Sequence, residues 1–303
     1  MSYTGPDLEP PQPRRSPLRR PLTVALAVLV PGALLGWGVY AAVGGGGGTG
    51  AAPAAPATTT AATASPAADR GDAKEPDDGR PLAGKVVLVD PGHNPENHRH
   101  TAEINRQVDI GTHRKECDTT GTATDDGYAE AAFTLDVARR LRTLLQEQGA
   151  TVRLTQDGDR PYGPCVDERA RIGNEAKADA AISIHADGAG AGQRGFHVIL
   201  PGPVHAGAAD TRPIVAPSRA LGERVADRFA GVTGSAPADY LGDGTGLVTR
   251  TDLGGLNLST VPKVFLECGN MRDSKDAALL TSGAWRQKAA QGISEGIVSF
   301  LRG

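Results

Sequence analysis

Three apolar runs in this 303-residue chain each end in a residue that can bind a metal or move a proton. Lys85-Val-Val-Leu-Val-Asp90-Pro-Gly-His93 ends in a histidine, Ala181-Ile-Ser-Ile-His185-Ala-Asp-Gly in a second, and Pro262-Lys-Val-Phe-Leu-Glu267-Cys-Gly in a glutamate. Unbroken Val and Leu suit a strand covered on both faces, and Pro91-Gly92 cannot continue a ladder. His93 is therefore expected at the carboxyl edge of a sheet, where open α/β sheets place their ligands. A fourth group, Glu130, opens a predicted helix after Asp125-Asp126-Gly127. Two histidines and one carboxylate make a zinc-type donor set that keeps a position open for water, with a spare carboxylate beside it. Sequence spacing alone does not bring these four groups together.

The set Val89-Asp-Pro-Gly-His93, Glu130 at a helix start, Ser183-Ile-His185-Ala and Leu266-Glu267-Cys-Gly-Asn270 resembles the zinc-dependent N-acetylmuramoyl-L-alanine amidases of the amidase-3 family. Cys117-Asp-Thr-Thr-Gly-Thr-Ala-Thr-Asp-Asp-Gly-Tyr128 and Gly163-Pro-Cys165-Val-Asp167 are similar to its actinobacterial, mycobacterial-type members in particular. The likeness runs from about Gly84 to Leu301. It implies a zinc amidase catalytic domain over residues 84–303, with Zn2+ held by His93, Glu130 and His185, and with Glu267 as the catalytic group that takes a proton from water and passes it to the departing amine. Zinc lowers the pKa of a bound water from ~15.7 to about 7, which suits amide hydrolysis. The bond, between N-acetylmuramic acid and the L-alanine of the peptidoglycan stem peptide, comes from the resemblance. Metal-assisted hydrolysis is what the residues themselves suggest.

Two other readings stay open: a non-catalytic wall-binding module, and a zinc peptidase acting within the stem peptide. Glu267 argues against the first, because binding needs no general base. Asp90 reads either as a partner that orients a ligand histidine or as a turn residue capping Pro-Gly. Asn270 reads as a substrate contact or as a brace for the turn after Glu267. His98, His100, His113, His197 and His205 read as solvated or loop residues.

The elements that must position these groups follow from periodicity. Phe133, Val137, Leu141 and Leu144 mark the buried face of a helix from Glu130 through about Gln148, with Gly149 as its stop. Glu130 lies three residues before Phe133, so it points inward at the first turn, where a helix N-terminus tolerates a carboxylate. Thr151–Thr155 reads as a strand, 167–178 as a helix, Gly195–Leu200 as a strand, Ser218–Phe229 as a helix and Val261–Glu267 as a strand. Trp285–Leu301 closes as a helix with Ala289, Ile293, Ile297 and Leu301 on one face. This alternation predicts a single three-layer α/β domain with a mostly parallel central sheet flanked by helices. The long polar stretch from His93 to Asp126 reads as a functional loop with a small hairpin at Arg106–Ile110.

Of the three cysteines, Cys117 and Cys165 lie in predicted loops and Cys268 at the end of a buried strand, so an exported domain is expected to pair the first two. No C-x-x-C spacing supports cysteine as a zinc ligand instead.

Composition separates the folded part from what precedes it. Arg14, Arg15, Arg19 and Arg20 stand before Leu22–Val43, which carries no charge and is long enough for the roughly 20 residues that span a bilayer. The positive-inside rule then makes residues 1–21 a cytoplasmic basic tail and 22–43 a transmembrane signal-anchor, with a cleaved signal peptide as the alternative. Residues 44–81, rich in Gly, Ala, Thr and Pro, read as a disordered linker spanning roughly 35 Å as a flexible coil. The catalytic domain is expected in the cell envelope, on the outer face of the cytoplasmic membrane or secreted, as a monomer with peptidoglycan as its partner. A net charge of -3 without a Lys/Arg cluster in the folded part excludes a nucleic-acid field. Gly190-Ala-Gly192-Gln-Arg-Gly195 matches a dinucleotide fingerprint by letter but leads into a strand, and no Walker Lys-Ser/Thr follows any glycine run, so no nucleotide is expected.

Overall fold

In the computed structural model, which describes residues 79–303, the first apolar run is strand β1 (Val86–Pro91). The loop behind it carries a short helix, α1 (Thr101–Ile104), and a hairpin of β2 (Gln107–Asp109) and β3 (Arg114–Glu116). Helix α2 (Glu130–Glu147) starts at the expected glutamate and gives way to Gly149, whose φ of 92° suits glycine. Then come β4 (Thr151–Leu154), α3 (Val166–Glu175) and β5 (Ala180–Asp187). After β6 (His197–Pro201), a short ribbon of β7 (His205–Ala206) and β8 (Ala209–Asp210) leads into α4 (Arg212–Thr233). β9 (Leu247–Arg250), α5 (Gly254–Asn257), β10 (Lys263–Asn270), α6 (Ser274–Leu280) and α7 (Gly283–Arg302) follow.

Six strands form one sheet in the order β4-β1-β5-β10-β6-β9, parallel throughout except between β10 and β6. Helices α2, α4 and α7 cover one face through a large apolar cluster that includes Val87, Phe133, Leu141, Ile182, Val225 and Ile293. Helices α3 and α5 lie on the other face, where the apolar cluster shrinks to Leu88, Ala178, Ala181 and Val261. The chain is thus a mixed α/β domain with a mostly parallel sheet and helices on both sides.

The strands are covered on both faces, as expected, but the second face is largely polar. Successive strand residues point to opposite faces, so the register that sends Val87 and Val89, Ile182 and Ile184, and Val264 and Leu266 into the main core sends Asp90, Ser183, His185, Lys263 and Glu267 to the other side. These residues are covered but polar. Asp90 is fully buried and accepts hydrogen bonds from Thr155 Oγ1 at 2.7 Å, Arg169 Nη1 at 2.8 Å, Ser183 Oγ at 2.9 Å and Lys263 Nζ at 2.9 Å. Burial raises the pKa of its carboxyl, but the charges of Lys263 and Arg169 outweigh burial and hold it well below the usual carboxylate range.

Other boundaries differ for local reasons. β5 and β10 run past His185 and Glu267 to Asp187 and Asn270, so both groups stand within strands near their carboxyl ends. α4 begins at Arg212 instead of Ser218, because Pro213 fits a first turn whose N–H groups need no intrahelical acceptor. β9 and α6, each too short to show a period, have no counterpart in the sequence reading. The expected segments 1–21, 22–43 and nearly all of 44–81 lie outside the described residues. Among the described residues, no helix is long and apolar enough to cross a membrane. Leu82, just beyond the linker, is already buried in the main core, and its N–H donates to Gln148 O at 2.9 Å.

Cys117 and Cys165 form a disulfide, buried against Val108 and Ile110, while Cys268 is a free buried thiol. The bridge closes a sequence separation of 48, for which chain entropy gives about 4 kcal/mol as an upper figure. Replacing both cysteines by serine is expected to lower the melting temperature by about 5 to 10 °C. A melt unchanged by reductant counts against a stabilising role.

Candidate metal centre and active site

Each metal-binding candidate stands on a different element. His93 closes the turn after β1, Glu130 is the first residue of α2, and His185 projects from β5. The fold brings one donor atom from each to within 4.8 Å of the others. Glu130 Oε1 lies 3.2 Å from His93 Nε2 and 3.0 Å from His185 Nδ1, and the two imidazoles meet edge-on at 85°.

The far side of each ring fixes which nitrogen is free. His93 Nδ1 lies 3.1 Å from Thr119 O, a carbonyl that only accepts, so Nδ1 keeps a proton and Nε2 is the nitrogen that faces the cluster. Ser183 Oγ donates to Asp90, so it accepts from His185 Nε2 at 3.2 Å, leaving Nδ1 to face Glu130. Asp90 therefore touches neither histidine; it reaches His185 only through Ser183.

The charges in the cluster favour an ionised carboxylate. Burial lowers the pKa of His93, but Glu130 and Asp118 outweigh it and push it up to about 10. Burial raises that of Glu130, and His93 and His185 reverse the effect, leaving it below the usual range. His185 is kept below its ordinary value, chiefly by burial. Two imidazole nitrogens, that of His93 once a metal displaces its proton, and a carboxylate oxygen within 4.8 Å of one another are a donor set that zinc takes in hydrolytic sites, so these residues fit the ion that the resemblance implies.

Glu267 faces the same cavity of about 340 Å3 that His93, Glu130 and His185 line. Its Oε2 is buried without a hydrogen-bond partner among the described residues. Burial, reinforced by the charges of Glu130 and Asp187, raises its pKa well above the ordinary value. A carboxyl so placed is suited to hold a proton and hand it on. Arg250 and Lys115 stand on the cavity wall, and Phe265 stacks on the His185 ring at 4.7 Å.

Asn270, in contrast, does not line the cavity. Its amide donates to Ala189 O, Gly190 O and Gln193 O at 3.2, 3.1 and 2.6 Å, bracing the glycine-rich loop before β6. His98, His113 and His205 are exposed, but His197 is not solvated as expected: it is buried in β6, within the expected strand, paired across the ladder with Glu267. Sequence reasoning missed Asp118, Thr119, Arg169 and Ser183. Asp118 and Thr119 lie inside the Cys117–Tyr128 stretch that carries the resemblance, which was their only signal. A single arginine in an amphipathic helix gives none.

A mostly parallel α/β sheet sets two histidines and a glutamate around one point, beside a half-buried second glutamate, an arrangement compatible with a metal-assisted hydrolase. The chain belongs to the N-acetylmuramoyl-L-alanine amidase family Amidase_3, which its residues 87–299 match. It is 40% identical over 221 residues to an N-acetylmuramoyl-L-alanine amidase of Mycobacterium tuberculosis, covering 73% of this chain and 88% of that protein. Among solved structures it resembles the N-acetylmuramyl-L-alanine amidase Ami1 of Mycobacterium smegmatis, with 43% identity, a TM-score of 0.66 and coverage of 73% of this chain and 98% of that one. Ami1 of Mycobacterium abscessus gives 42% and 0.66, with coverage of 73% and 100%.

Two glycines set the clearance of the cluster. A Cβ on Gly92 would stand 2.3 Å from His185 Cε1, and one on Gly121 would stand 2.8 Å from both Glu130 Oε2 and His93 Cδ2. Gly92 does not have a positive φ, so only the contact bars alanine there. Gly92→Ala is expected to cost about 1 to 3 kcal/mol of stability and to weaken zinc binding roughly 10- to 100-fold by turning the imidazole. Melting and zinc titration check it, and unchanged zinc affinity would show that the ring is not a ligand.

Proposed function

We propose that this protein hydrolyses the amide bond between the lactyl carbonyl of N-acetylmuramic acid and the L-alanine of the peptidoglycan stem peptide, with zinc as its cofactor. The observation that carries the reading is the buried Glu267 Oε2, without a hydrogen-bond partner among the described residues, on the wall of the cavity that the His93, Glu130 and His185 donors share. His93 through Nε2, His185 through Nδ1 and Glu130 would hold the ion. When bound, zinc supplies a Lewis acid and lowers the pKa of a coordinated water to about 7. Glu267 takes the proton of the attacking water and delivers it to the departing amine of L-alanine.

We further infer that residues 84–303 act outside the cytoplasmic membrane as a monomer, tethered by the 44–81 linker to an anchor at 22–43. Four arginines before an uncharged 22–43 segment support that orientation.

Digestion of purified peptidoglycan is the direct test. Free muramic lactyl groups with intact stem peptides are expected; shortened peptides would mean a peptidase, and no cleavage a binding module. Chelation should abolish the activity and zinc restore it. Glu267→Gln should keep metal content and affinity for wall fragments while lowering turnover 10²- to 10⁴-fold, roughly 3 to 5 kcal/mol of transition-state stabilisation. Loss of zinc from that variant would make Glu267 a ligand instead.

A further inference from the structure

The turn that presents His93 is strained. His93 has a φ of 62°, in the left-handed region that few non-glycine residues adopt even though Asn, Asp and His do so more often than others, and such a conformation persists when its surroundings over-determine it. The group that does so comes from another element. Arg169, on α3, is 4% exposed, and each of its five N–H donors has a partner. Nε donates to Pro164 O at 2.9 Å. Nη1 donates to Pro91 O at 2.7 Å and Asp90 Oδ1 at 2.8 Å. Nη2 donates to His93 O at 3.0 Å and Asp118 Oδ2 at 2.9 Å.

One planar guanidinium therefore clamps the carbonyls on both sides of Gly92 and is itself fixed by two carboxylates. Those carboxylates carry the clamp onward. Asp118 Oδ1 stands 3.4 Å from His93 Nδ1, beside the Thr119 carbonyl that accepts from it. Asp90 Oδ2 holds Ser183 Oγ at 2.9 Å, which accepts from His185 Nε2. Gln156 Nε2 adds a second donor to His93 O at 3.1 Å.

We propose that Arg169 is a positioning residue of the metal centre, setting the backbone of His93 directly and the orientation of both imidazoles through Asp118 and through Asp90 with Ser183. A lysine carries the same charge but cannot reproduce five donors in one plane. The role rests on the reading of His93, Glu130 and His185 as metal ligands, and the test keeps the two apart.

Zinc affinity of the full-length protein is measured by competition with a chromogenic chelator, alongside the melting temperature of the metal-free form. Arg169→Lys is expected to bind zinc 10- to 100-fold more weakly than wild type at a temperature where it is fully folded. Asp118→Asn, which leaves the donors to Pro91, His93 and Pro164 intact, should weaken it by roughly 10-fold. A lowered melting temperature with zinc affinity within twofold of wild type in both variants would reduce Arg169 to a structural ion-pair partner and overturn the proposal. Should Arg169→Lys fail to fold, Asp118→Asn decides alone by the same criterion. Wild-type protein that binds no zinc overturns the ligand reading, and this inference with it.

Discussion

An ion buried away from water has to be paired, and this domain buries four on one face of its sheet. Asp90, Lys263, Arg169 and Asp118 are each nearly or fully covered, and they are connected through bonds of 2.8 to 2.9 Å. Removing one partner from such a group typically costs 3 to 5 kcal/mol, because the charge left behind is stranded. The whole set gives little net stability over an apolar layer of the same size. What it provides is direction: a carboxylate with four donors around it has one arrangement, whereas packed aliphatic side chains tolerate several.

That directionality suits a site drawn from distant parts of the chain. His93 follows β1, Glu130 opens α2, and His185 and Glu267 stand on neighbouring strands at directly paired positions. Parallel pairing of β1 with β5 and of β5 with β10 sets the strand residues side by side to within the precision of a ladder. Glu130 joins them from a helix whose first-turn N–H groups favour an anion, and its oxygens also accept from Thr122 N at 2.9 Å and Ala186 N at 3.2 Å. The fixed sheet supplies the lateral spacing, the ionic layer the orientation, and Gly92 and Gly121 the clearance.

Much of this was legible in the chain itself. Val86–Val89 and the His93 turn, Glu130 ahead of Phe133 and Val137, and the Ile182–His185 and Val264–Glu267 runs declare both an element and the functional group it delivers, because strand and helix periodicities operate within a few residues. The cysteine pair was readable for a similar reason: two loop cysteines and one at a strand end leave one economical pairing. His197 was misplaced because a lone histidine after Gly195-Phe196 carries no mark of which face it takes.

What the sequence by itself determined, then, is local: the order of strands and helices, the residues able to do chemistry, and the glycine and proline punctuation that exposes them. Only the tertiary structure decided that Arg169, far along the chain in an unremarkable helix, sits under the His93 turn, that Asp90 reaches His185 through Ser183, and that Asn270 braces a loop away from the cavity. Those partnerships depend on which strands lie side by side and which face of each is turned to which helix. Contacts between residues tens of positions apart leave no period and no fixed spacing in the chain, so no pattern within it could announce them.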